Sequence, residues 1–215
     1  MSSCATSPRA DTGSALLGVM LVLALGLTIA GVLALLGASE SRVAAAHRDA
    51  FEARYAAESA MDRAVLELQA LSSWDDVLAG AATSSLTNGV GVVPGGGVVV
   101  AVGTETARLQ ARTDAGPDHG PNTPAWRPFL WAPFRDLVPV SADLDSAFVV
   151  LAWVADDEAE ADGDAANDSN QAVWVHAAAY GPGNTACHLE ALVTRTGPGL
   201  APLRRLVWRG AMAGD

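Results

Sequence analysis

Seven carboxylates crowd the thirteen positions from Asp156 to Asp168: Asp156, Asp157, Glu158, Glu160, Asp162, Asp164 and Asp168. Side chains of this type offer only oxygen, the donor that hard divalent cations take. The run Glu158-Ala159-Glu160-Ala161-Asp162-Gly163-Asp164 alternates acids with small residues and puts glycine sixth, which approximates the opening of a calcium loop. The bidentate glutamate that such a loop carries twelfth is here Ser169. A bound calcium ion would draw its ligands from Asp157, Glu160, Asp162, Asp164 and Asp168. The competing reading is a solvated charge run, kept extended by its own repulsion, and the sequence leaves the choice open.

Other chemistry-bearing residues are sparse. His47, His119, His176 and His188 are scattered, and no HExxH pair, GxSxG elbow or GxxxxGK[ST] phosphate cradle occurs. His176 and His188 fall on neighbouring predicted strands and read as sheet-surface residues. Of two cysteines, Cys4 would be lost if an N-terminal leader were removed, which would leave Cys187 alone and able to form neither an internal disulfide nor a zinc cluster. It reads as a small strand residue packed inside. The net charge of −11 excludes nucleic acid as a partner, because phosphate contacts need a basic surface. The expectation is a protein without catalytic activity.

The acidic run needs flanking elements to hold it. Ala147 to Ala155 is a dense apolar and β-branched strand before it, and Ala172 to Tyr180 is a strand after it. The latter pairs as a hairpin with Thr185 to Thr196 across Gly181-Pro182-Gly183-Asn184, and Leu203 to Arg209 adds an edge. Upstream, Val98 to Val102 and Thr106 to Arg112 read as a hairpin about Gly103-Thr104-Glu105, after a flexible Pro94-Gly95-Gly96-Gly97. Ser72 and Ser73 ahead of Asp75 and Asp76 predict a short helix over Trp74 to Leu78. Pro117 to Pro139 sets Trp126, Phe129, Trp131 and Phe134 among Pro124, Pro128 and Pro133. Proline opposes regular pairing, so this stretch reads as an ordered loop pinned by aromatics over a satellite core, with an exposed partner-binding surface as the alternative.

The N-terminal third is of another kind. Ala15 to Leu36 is 22 residues without a charge, about 33 Å of helix against the ~30 Å hydrocarbon core of a bilayer. A signal peptide has an apolar region of only ~7–15 residues. No proline occurs between Arg9 and Pro94, and the helical pattern continues to Leu71. Ala57, Met61, Ala64, Leu68 and Leu71 make one apolar stripe, with Phe51, Tyr55 and Val65 beside it. One helix from Ser14 to Leu71 would be about 87 Å long. The fold class expected is therefore α+β: a long N-terminal helix, transmembrane in its first half, packed in its second half on an antiparallel β-sheet.

The segment Thr12-Gly13-Ser14-Ala15-Leu16-Leu17, the apolar run behind it, and Phe51-Glu52-Ala53-Arg54-Tyr55-Ala56-Ala57-Glu58-Ser59-Ala60-Met61-Asp62-Arg63-Ala64 resemble the N-terminus of type IV pilin-like proteins. The resemblance is to PilX-type minor pilins and GspK-type minor pseudopilins, and covers about residues 12–71. It implies that a prepilin peptidase cuts after Gly13 to leave Ser14 first, and that the helix holds the subunit in the inner membrane until extraction into a filament. Gly18 stands where major pilins carry a glutamate, a departure shared by tip and minor subunits. Calcium also holds acidic loops together in several pseudopilins. Arg9 alone, answered by Asp11, gives little positive-inside bias, so orientation rests on the resemblance.

The domain organisation expected is a leader over 1–13, a transmembrane half over 14–38, an outer helical half over 39–71, and a β-rich domain over 72–215 with its acidic loop at 156–170. In the membrane the helix would meet other pilin-like subunits, with Gly18, Gly26 and Gly31 permitting close approach. An inner-membrane assembly platform would be a further partner, and the β-rich domain would face the periplasm. A single-pass calcium-binding domain that never enters a filament is the alternative. A secreted enzyme starting near Ser39 or Glu40 is a third.

Overall fold

The computed structural model describes residues 12–89, 91–95, 97–116, 122–137, 145–160, 162–195 and 203–211. The expected leader therefore lies outside the described residues except for its last two positions. The chain divides into two units, Met1–His47 and Arg48–Asp215.

In the first unit the helix α1, which spans Thr12–Ala70, carries its apolar block with no partner. Leu16, Leu21, Leu27, Ile29 and Leu35 are all exposed. Within this helix lies an apolar window with a mean hydropathy of 2.8 and none of its surface buried, long enough to cross a membrane.

In the second unit a five-stranded antiparallel sheet runs in sequence order, β3-β4-β5-β6-β7. Its strands are β3 (Arg127–Pro133), β4 (Val149–Asp156), β5 (Ala172–Tyr180), β6 (Ala186–Arg195) and β7 (Leu203–Ala211). The last half of α1 lies on one face. Ala53, Ala56, Ala57, Ala60, Met61, Ala64 and Leu68 pack there against Val150, Ala152, Val154, Val173, Val175, Ala177 and Ala191. Alanine on the helix lets its backbone approach the sheet closely. Phe51 and Tyr55, expected beside the buried stripe, point away and are 61 % and 63 % exposed. The short helix α2 (Asp75–Leu78) adds Val77 and Leu78 to the same core.

The other face is covered too, which the sequence did not announce. Val149, Leu151, Trp153 and Ala155 of β4 and Ala178 of β5 lie beneath Val93, Val100, Val102 and Leu109. These come from the hairpin of β1 (Val92–Gly95) and β2 (Val98–Ala101) and from helix α3 (Val102–Asp114). Strand β4 is thus buried at every position, as its apolar run from Val149 to Ala155 demands.

Three expectations are corrected. Thr106 to Arg112 is helical rather than a hairpin strand: Val102, Thr106 and Leu109 recur at helical spacing, Thr106 Oγ1 donates to Val102 O, and Glu105 pairs with Arg108 a turn on. Of the stretch expected to be flexible from Pro94 to Gly97, Pro94 and Gly95 end strand β1, and Gly97, at φ +93°, turns the hairpin. Within the proline-rich segment, Arg127–Pro133 is a strand. Prolines 128 and 133 sit on an edge strand, where a missing N–H costs least, and the register shifts between Pro128 and Leu130. The outer edge of β3 is met by residues 84–88 through Ser84 N to Phe129 O and Asn88 N to Trp131 O.

Candidate functional site

The acidic stretch starts at the last residue of β4 and ends before β5, so the buried strands fix both its ends. Asp156 is 1 % exposed and Glu160 is 5 % exposed; Asp157 is also buried. Backbone amides draw the loop inward around them. Glu160 Oε1 accepts from Ser169 N at 2.8 Å and Asn170 N at 2.6 Å, and Asp168 Oδ1 accepts from Ala172 N at 3.2 Å. The backbone N–H of Asp168 donates to Asp75 Oδ1 of α2 at 3.1 Å. From residues 122–126, just ahead of β3, Asn122 reaches in and donates through Nδ2 to Asp156 Oδ2 at 2.5 Å and to Asp157 O at 3.3 Å.

One oxygen from each of Asp156, Glu160 and Asp168 lies within 4.8 Å of the others. Asp156 Oδ1, Glu160 Oε2 and Asn122 Oδ1 are buried and receive no hydrogen bond from the protein. Burial pushes the Asp156 carboxyl up to about 7, against the pull of the Asn122 amide, with Glu160 adding repulsion. Burial likewise raises Asp168 to about 6 and lifts Asp157. Carboxylates buried together hold their negative charge at a cost.

Of the five ligands expected from sequence, Glu160 and Asp168 come together here. Asp157 lies next to them, but its carboxylate is held by Asn170 Nδ2 at 2.7 Å and by Ala159 N. Asp162 and Asp164 are exposed and cap turns of their own, accepting from Asp164 N and Ala166 N. The alternation from Glu158 to Asp164 thus does not converge on one point. Asp156 was visible in the sequence as an acid closing a fully apolar strand, a signal that spacing rules passed over. Asn122 carried no sequence signal.

On the opposite side of the sheet, the two strand histidines meet. His176 Nδ1 lies 2.9 Å from Glu190 Oε1, and His176 Nε2 lies 3.2 Å from His188 Nδ1. A carboxylate only accepts, so His176 donates through Nδ1 and accepts through Nε2 from His188. Trp126 and Trp153 flank the His176 ring edge-on. Burial lowers both histidines, His188 to about 4, so the pair is neutral at pH 7. His188 lines a cleft of about 1190 Å³ with Tyr180, Arg108 and Arg112. Cys187 is half-buried against the α1 side of the sheet.

Gly13 and Ser14 fall in the first turn of α1. Gly18, Gly26 and Gly31 have nothing within 4 Å of where a Cβ would stand. Arg195, unremarked in the sequence, closes the other end of the helix. Its Nη1 donates to Ser72 O at 3.0 Å, and its Nη2 to Leu71 O at 2.7 Å and Leu68 O at 3.3 Å.

No family model matches the chain, and no curated protein and no solved structure matches it either.

Proposed function

We propose that this chain is a membrane-anchored structural subunit of a type IV pilus-like or type II secretion filament, a minor pilin or pseudopilin acting in initiation or at the tip. The observation that carries the reading is the division of burial along α1. Among the described residues the buried apolar core begins at Ala53, so the sheet unit does not use the apolar block from Ala15 to Leu36. A helix surface of that size is stable only in lipid or against other helices. The family resemblance at residues 12–71 supplies the second medium: equivalent helices of neighbouring pilin-like subunits. The open surfaces at Gly18, Gly26 and Gly31 suit close helix approach, and the exposed Phe51 and Tyr55 offer further contact area. The prepilin peptidase and the inner-membrane assembly platform complete the partners, with the sheet unit in the periplasm and its work done by assembly rather than turnover.

Mass spectrometry of the protein extracted from membranes tests this. The expected N-terminus is Ser14, and Gly13→Val should leave the leader attached and abolish recovery in sheared filaments. An intact leader on the wild-type membrane protein would favour the single-pass domain outside any filament, the reading to which the inward-folded acidic loop also lends itself. A soluble product starting near Ser39 would overturn both.

A further inference from the structure

We infer that the cleft bordered by β2, α3 and the β5–β6 turn binds the C-terminal residues of an extended peptide, with the terminal carboxylate on Arg112 and the last backbone N–H on His188. The cleft has a volume of about 1190 Å³, more than the ~300–1,000 Å³ of a small-molecule site. One wall is the edge of β2. Val98, Val99 and Val100 line it in succession, and because successive side chains of a strand point to opposite faces, a strand does this along its edge. Strand β2 pairs with β1 alone in a two-stranded sheet, so no described strand lies along that edge. An extended chain takes such an edge through backbone hydrogen bonds.

Charge sets which end of the peptide is held. The chain carries a net −11, yet this cleft is lined by Arg108 and Arg112, one turn apart on α3, against the carboxylate of Glu105. That carboxylate is already matched, accepting from Arg108 Nη1 at 2.7 Å and from the Tyr180 hydroxyl at 3.1 Å. Among the described residues Arg112 has neither a hydrogen-bond nor an ion-pair partner. Its positive charge bears on Tyr180, His176 and His188 alike, which places it near all three. A guanidinium without a partner fits a carboxylate in a bidentate pair. His188 supplies the complementary group. The Glu190 carboxylate fixes the His176 proton on Nδ1, so His176 Nε2 accepts from His188 Nδ1 at 3.2 Å. The proton of neutral His188 therefore sits on Nδ1 and leaves Nε2, directed away from His176, as an acceptor. No described residue donates to it and it is not buried, so it opens on the cleft that His188 lines. The last residue of a peptide carries an N–H beside its carboxylate and satisfies both groups. The site lies within the sheet unit and stands whether or not the helix enters a filament.

The full chain, purified in detergent with isotope-labelled histidine, is titrated with a pool of N-acetylated tetrapeptides, three alanines followed by any residue but cysteine. A second pool carries the same peptides as C-terminal amides, and N-acetylalanine is the single-residue control. The imidazole resonances of His188, identified by their loss in His188→Asn, are followed by NMR. The free-acid pool should shift them, and the amide pool should bind at least about tenfold more weakly. Arg112→Gln should weaken the acid pool by the same factor, whereas Arg135→Gln, which removes an equal charge from outside the cleft, should leave it unchanged. No shift with the acid pool at about 5 mM overturns the site. Equal binding of acid and amide, or binding indifferent to Arg112→Gln, overturns the carboxylate contact. N-acetylalanine binding as tightly as the tetrapeptides would mean a small acid as ligand and would overturn the peptide along β2. If Arg112→Gln does not fold, the comparison of acid with amide on the wild-type chain decides.

Discussion

Replacing Arg195 with methionine isolates what the end of β6 does for α1. The guanidinium donates to three carbonyls at and just beyond the end of the helix, Leu68 O, Leu71 O and Ser72 O, and it lies 4.7 Å above the Trp74 ring. The three bonds are not of equal weight. Leu68 O keeps a second donor in Trp74 Nε1 at 2.9 Å, and Ser72 is exposed, so its carbonyl can turn to water. The loss falls mainly on Leu71 O, at 2.7 Å, for which a charge-assisted bond is worth about 1.5–3 kcal/mol. The stacking on Trp74 adds about 1 kcal/mol. Relief of burying a cation, whose Nε has no acceptor, gives part of this back. The net expectation is a loss of about 2–3 kcal/mol, with Arg195→Lys between the two because one ammonium cannot reach all three carbonyls. All six tryptophans lie beyond residue 73, so urea unfolding of the detergent-solubilised chain followed by tryptophan fluorescence reports the sheet unit. A methionine variant within about 0.5 kcal/mol of wild type, inside the usual range for surface changes, would refute the reasoning.

Gly181→Ala should cost about 1–3 kcal/mol, because the new Cβ would stand 2.1 Å from Cε1 of the buried Phe148; denaturant midpoints check this, and Phe148→Leu in the same chain should recover part of the loss. His188 is held at about 4 by burial and by His176. Between its unfolded value of ~6.5 and 4, the unfolded chain therefore binds a proton that the folded chain refuses, and stability falls as pH drops through that window. His188→Asn should shrink the difference between urea midpoints at pH 7 and pH 4.5; Asp156 and Asp168 titrate in the opposite sense but equally in both proteins, and an unchanged difference would count against the histidine. Leu109→Ala should destabilise by about 2–5 kcal/mol, since Leu109 is buried between α3 and the sheet; thermal unfolding measures it, and a near-neutral result would mean that the second layer does not hold the sheet.

The parts of the fold that could be read from sequence are those whose period is set by one dominant burial. Ala147 to Ala155 and Ala172 to Tyr180 have strand composition and become β4 and β5, and Gly181 to Asn184 separates β5 from β6 as a turn. Ala57, Met61, Ala64 and Leu68 mark the packed stripe of α1 as expected. The errors fall where two periods compete. Thr106-Ala107-Arg108-Leu109-Gln110 alternates polar and apolar like a strand, but its only deeply buried residue is Leu109, and Ala, Arg, Leu and Gln are strong helix formers. Once that segment is taken as a strand, the second covering layer vanishes from view. In the proline-rich segment, prolines 128 and 133 are tolerated because β3 lies at the end of the sheet order. The acidic cluster was legible as a location and not as a set of buried residues, because loop spacing says nothing about which carboxylates turn inward; strand burial decides Asp156, and the distant Asn122 arrives through the tertiary fold.

The two halves of α1 obey the same helical geometry yet serve opposite ends. From Ala53 to Leu68 small residues face the sheet, and Arg195 and Trp74 grip the final carbonyls, so this half of the helix is fixed to the sheet along its length and at its terminus. From Ala15 to Leu36 the side chains carry no charge on any side, and the large ones are exposed. A helix apolar around its whole circumference belongs in lipid or inside a bundle, whereas one with a single alanine-rich stripe belongs on a sheet.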